Sequence, residues 1–151
     1  MVPLIINTDK KTKNLFKLHR ISKLWISDIT FYFDEYRFYQ DLIAMSFIDL
    51  LDETYFVKVK EAEAKLMAAS KKTNLLLFEI LTHEKQLATL LESEHLKGEK
   101  EFRMKHRALA KQFEQLLQDN KALKQLFFKL IKKPLKRHKQ KLLPVHANLA
   151  G

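Results

Sequence analysis

Residues 102–134, FRMKHRALAKQFEQLLQDNKALKQLFFKLIKKP, decide the fold. Stepping through them by four and three positions meets Phe102, His106, Leu109, Phe113, Leu116, Asn120, Leu123, Phe127 and Leu130 before Pro134. A row at that spacing lies on one face of an α-helix with the repeat of a coiled coil, and the proline marks its expected end. Upstream of Gly98 the same stride gives Val59, Ala62, Leu66, Ala69, Thr73, Leu76, Ile80, His83, Leu87, Leu90 and Glu94. This predicts a second helix over about residues 55–97 whose first half offers small residues to the core. Farther upstream, Leu18, Trp25, Tyr32 and Tyr39 form one stripe, with Ile29, Tyr36, Ile43 and Leu50 on one side and Leu24, Phe31, Phe38 and Met45 on the other. So broad an apolar arc predicts a first helix, over about 14–51, that is buried on most of its circumference.

Between Pro3 and Pro134 the only glycine or proline is Gly98, so little interrupts these helices. The expected fold is all-α: a long antiparallel up-down-up three-helix bundle, coiled-coil-like, with helices at about 14–51, 55–97 and 100–133. Residues 1–13 read as an N-terminal extension, and 134–151 as a basic, flexible C-terminal tail. Asp49, Asp52, Glu53 and Thr54 supply polar and capping residues for the first turn. Charge supports the topology independently. Residues 1–24 carry a net charge of +5, residues 25–120 of −4 and residues 121–151 of +9. An up-down-up bundle sets Lys10 to Lys23 beside Glu92, Glu94, Glu99 and Glu101, and the basic end of helix three beside Asp49, Asp52, Glu53, Glu61 and Glu63.

The chain has no cysteine, which excludes disulfides, thiolate chemistry and cysteine-ligated metal. Met1 to Asn14 lacks the apolar run of a signal peptide, and no window approaches the roughly 20 apolar residues of a bilayer span, so a soluble cytoplasmic protein is expected. With glycine only at positions 98 and 151 no phosphate-binding loop can form, and no catalytic triad can be assembled. No catalytic residue and no cofactor is assigned.

Polar residues on the expected core faces are the candidate sites. Asp28 and Glu35 lie seven apart among the aromatics of helix one, where a buried carboxylate needs a partner. With the first turn near Glu53, Asp28 falls level with Glu79 and Ile80, one turn from His83, and Glu35 falls level with Thr73. The expected pairs are Asp28 with His83, and Glu35 with Thr73 and Asn120. With the second turn at Gly98, His106 falls level with Leu90 and Asn120 with Leu76. Asp28, Glu35, His83, His106 and Asn120 are therefore read as a buried polar network that sets helix register. A metal site on Asp28, Glu35, Glu79 and His83 is the sharper alternative, since helical bundles hold metals with inward Glu residues and Glu-x-x-His steps. Only one such step, Glu92 to His95, is present. Phe33 and Phe47 fall at the edge of the apolar arc, where an exposed patch would mark a partner or dimer contact.

Lys129, Lys132, Lys133, Lys136, Arg137, Lys139 and Lys141, with no acid after Asp119, form a candidate anion-binding segment for nucleic acid or an anionic surface. The stretch Trp25, Asp28, Ile29, Phe31, Asp34, Glu35 and Phe38, followed by Phe78, Glu79, His83 and Glu84, resembles small uncharacterised helical proteins of flavobacteria-type bacteria, over roughly residues 20–130. That resemblance implies a three-helix bundle in a bacterial cell and no known activity. The expected function is a non-enzymatic interaction or scaffold protein with a protein partner or self-association. Nucleic-acid or anionic-surface binding is the alternative and metal binding the third reading.

Overall fold

The chain is an all-α three-helix bundle. The computed structural model describes the backbone of residues 2–46 and 53–150 and the side chains of residues 10–45 and 53–130. Helix α1 spans Val2–Ser46, α2 spans Glu53–Glu92 and α3 spans Glu99–Ala150, with a short 3-10 turn at Glu94–Leu96. No strand occurs among the described residues. The chain divides into two compact units, Met1–Phe33 with Lys71–Leu117 and Asp34–Ser70 with Gln118–Gly151, so each contains part of all three helices.

In the first unit, Trp25 and Ile29 of α1 pack with Leu76 and Ile80 of α2 and Leu109, Phe113 and Leu116 of α3. A second cluster joins Leu15, Leu87, Leu90, Leu96 and Phe102. Residue numbers climb together on α1 and α3 while they fall on α2, which makes this unit up-down-up. The basic start of α1 meets acidic residues as expected. Lys11 lies 3.6 Å from Glu99, and the His19 imidazole contacts the Glu84 carboxylate. The second unit buries Tyr36, Tyr39 and Ile43 of α1, Tyr55, Val59, Ala62 and Leu66 of α2, and Leu123 and Phe127 of α3. The small side chains of α2 thus complement aromatics on the other two helices, and Tyr39 stacks on Phe127 with centroids 4.5 Å apart.

The reversal between α2 and α3 starts earlier than expected. α2 stops at Glu92 rather than near Lys97. Ser93 Oγ donates to the Leu90 carbonyl at 2.7 Å and accepts from the Lys97 amide at 3.1 Å, which diverts the chain from the helix. His95 and Leu96 then adopt left-handed backbone, with φ of 57° and 51°. Such a conformation costs a non-glycine residue about 1–2 kcal/mol, offset at Leu96 by burying its side chain in the end cluster. At Gly98 φ is 95°, and nothing lies where a Cβ would stand, so backbone freedom rather than space calls for glycine. The turn is therefore centred near His95, and the register of α3 on α2 differs by one heptad from a reversal at Gly98. His106 faces His83 rather than Leu90.

Two boundaries also move. Residues 2–13 continue α1 rather than forming a separate extension. Pro134 does not end α3, which runs to Ala150 and contains Pro144 as well; the Leu, Lys, Arg and Gln residues around the two prolines favour helix. The expected first-turn residues Asp49 and Asp52, and Phe47 beside them, lie outside the described residues.

The seams predict a sharp contrast in urea denaturation. Leu109→Ala, at a fully buried position, should destabilise the protein by roughly 2–5 kcal/mol, whereas Leu24→Ala, on an exposed face, should change stability by less than about 0.5 kcal/mol.

Candidate functional site

The core row of α1 is Leu15, Ser22, Trp25, Ile29, Tyr36, Tyr39 and Ile43, all buried, with Leu18 and Tyr32 partly so. This is one narrow seam, not a broad arc. Asp28 lies one position off it and is exposed, and Glu35 is only half-buried. The expected Asp28–His83 pair does not form. The vertical level was right, since Ile29 packs with Ile80, but Asp28 points to the flank of the helix. Asn120 accepts a hydrogen bond at 2.6 Å from the hydroxyl of Tyr36, the core-row neighbour of Glu35, in place of the expected Glu35 contact. Thr73 is fully buried. No three histidine or acidic side chains come together in a metal-binding arrangement among the described residues. Asp28, Glu35, Glu79 and His83 are accordingly not a ligand set, and Glu79 lies instead 3.8 Å from Lys105.

Two expected polar residues do meet. His83 Nε2 and His106 Nδ1 are 3.1 Å apart, and both rings are buried. Phe102 stacks on His83 at 4.0 Å with the planes 5° apart, and Trp25 stacks on His106 at 4.7 Å. His83 Nδ1 is buried without a hydrogen-bond partner. A proton there would be an orphaned donor, so the consistent tautomer puts it on Nε2, which donates to His106 Nδ1. Burial, then His106, then Lys105 lower the pKa of His83 to about 4. Burial, then Arg103, lower that of His106. Both imidazoles are thus neutral near pH 7, and neither is open to a substrate. In the second unit, burial first, then Glu35 and Tyr36, push the Tyr39 hydroxyl up to about 12, so it stays protonated.

The exposed surface carries what the core reading overlooked. Leu24, Phe31, Phe38 and Met45 are 64%, 59%, 54% and 69% exposed and recur every seventh residue along α1. Asp34 and Asp41 border this row on one side and Asp28 and Glu35 on the other, by helical spacing. On α2, Leu75 and Phe78 are exposed as well, whereas Phe33 is half-buried against the core. The sequence carries a signal for it: a seven-residue apolar repeat with acids on both borders is a row separate from the core seam. Of the basic segment, Lys129 is exposed. The side chains of Lys132, Lys133, Lys136, Arg137, Lys139 and Lys141 lie outside the described residues.

Comparison with known proteins finds no matching family, no matching curated protein and no matching solved structure. Among the described residues no helix is long and apolar enough to cross a membrane.

The neutral histidine pair predicts a pH dependence. The unfolded imidazole titrates near 6.5, above the folded value for His83, so the unfolded state binds more protons between those values and stability falls as pH drops from about 6.5 to about 4. His83 alone contributes a loss on the order of 3 kcal/mol. Denaturation at pH 7 and pH 4.5 should show the drop, and His83→Gln should shrink it. Trp25, the only tryptophan, should report protonation of the His106 ring stacked on it by fluorescence quenching in acid; quenching already complete at pH 6.5 would contradict the lowered pKa of His106. Tyr36→Phe, which strands the Asn120 oxygen, should cost about 1–3 kcal/mol at any of these pH values.

Proposed function

We propose that this chain is a non-enzymatic helical-bundle interaction protein of the bacterial cytoplasm, and that the outer face of α1 is its binding surface. The observation that carries the reading is the row Leu24, Phe31, Phe38 and Met45. Single exposed apolar residues are ordinary on a protein surface, but four that recur every seventh residue on one helix face form an apolar line that a partner would cover. Aligned acids along both borders would select the partner and its direction, as flanking charges do in coiled coils. The titratable groups with displaced pKa values, His83, His106 and Tyr39, are all buried in the seams.

A second reading, binding of nucleic acid or an anionic surface, is favoured by the nine basic and no acidic residues after Asn120. Shortening the chain after Lys133 separates the two: the first reading keeps its protein contacts and the second loses affinity for anionic polymers.

The test of the first reading is a triple variant, Leu24→Ser, Phe31→Ser and Phe38→Ser, used as bait beside the unaltered chain. Proteins held by the unaltered chain at high salt should be lost from the variant, with the melting temperature unchanged to within a few degrees because the three positions are exposed. Equal retention by both baits would remove the α1 face from the proposal.

A further inference from the structure

We infer that the acid-bordered row on α1 is a docking face for the basic carboxyl-terminal end of α3 from a second copy of this chain. The inference rests on the interaction reading above and names its partner. Three observations carry it. The first is charge complementarity. Between Trp25 and Met45 the chain has four acids, Asp28, Asp34, Glu35 and Asp41, and one base, Arg37, so the partner that fits is a basic amphipathic helix. The chain itself contains one: residues 121–151 hold nine basic residues and no acid.

The second observation is a row in that segment separate from its core row. Phe128, Ile131, Leu135, His138, Leu142 and Val145 follow the same three-four stride, one position beyond the buried Phe127 and the partly buried Leu130. The backbone is helical throughout. Phe128, where this row begins, is 48% exposed, with Lys124 Nζ over its ring. Lys132, Lys139 and Lys141 occupy the positions bordering the row by spacing, as the acids border the row on α1.

The third is length. Counted in helical residues, 24–45 and 128–145 are of similar length, so the two rows offer a similar number of turns. Each copy offers one acid-bordered face and one basic end. Reciprocal exchange therefore closes a dimer in which the same contact is made twice.

The experiment is sedimentation of the full chain, purified nuclease-treated, at about 50 mM and about 500 mM salt, where screening of paired surface charges differs several-fold in range. The expected result is a dimer at low salt whose dissociation constant rises about tenfold or more at high salt. Two charge-reversed chains, Asp34→Lys with Asp41→Lys and Lys132→Glu with Lys139→Glu, should each be monomeric. Their equimolar mixture should dimerise again, which a folding defect could not produce. A chain that is monomeric at every concentration, a dimer indifferent to both reversals, or a mixture that stays monomeric would each overturn the inference. If the chain is monomeric but the serine variant still loses its captured partners, the interaction reading stands and only the second copy falls. If the serine variant loses nothing, both fall.

Discussion

A helix that repeats its apolar residues at alternating steps of three and four can bury only one narrow seam, and the structure follows from that limit. Each of the three helices gives one row to the interior, and the rows are long enough that polar residues fall within them: Ser22, Thr73, His83, His106 and Asn120 are all buried. Conversely, apolar residues away from a row are left exposed or only partly buried at its margins, as Ile21, Ile26 and Phe33 are. Leu24, Phe31, Phe38 and Met45 are exposed for this reason and not because the core is loosely built.

The polar interruptions are matched rather than tolerated. His83 and His106 share a hydrogen bond and are roofed on each side by an aromatic ring, while Tyr36 answers Asn120 across 84 positions of sequence. An apolar seam can slide by a heptad at modest cost, because one leucine replaces another. A seam carrying one imidazole that must find a second cannot, since a slip would bury both without partners. These contacts define which heptad of α2 faces which heptad of α3, at the cost of two buried bases that acid can charge.

The rows on α2 and α3 were legible in the sequence almost residue by residue, because each offers a single apolar stripe. The row on α1 was not. Aromatics at three neighbouring angular positions look like one broad face, and only packing against two partners shows that the face divides. That ambiguity misplaced Asp28 and Glu35 inside the core and assigned to Glu35 the bond that Tyr36 makes. The His83–His106 pair escaped because its register depends on where the turn is centred. Gly98 is the visible turn residue, yet Ser93 ends the helix, and His95 and Leu96 bend left-handed without any glycine to announce it. The end of α3 escaped for the opposite reason: Pro134 reads as a stop, yet the helix carries both Pro134 and Pro144 within a stretch rich in helix-forming residues.

The buried Leu96 makes the connection between α2 and α3 part of the core, and this bears on the order in which the helices come together. His83 and His106 are 23 residues apart, whereas Tyr36 and Asn120 are 84 apart. Closing the longer loop costs about 1 kcal/mol more chain entropy than the shorter, before any difference in packing. The α2–α3 hairpin, with Leu96 plugging its tip, therefore closes at a lower entropic cost than the α1–α3 contact. α1 reaches α3 only across the whole length of α2, along a track whose register the two histidines mark.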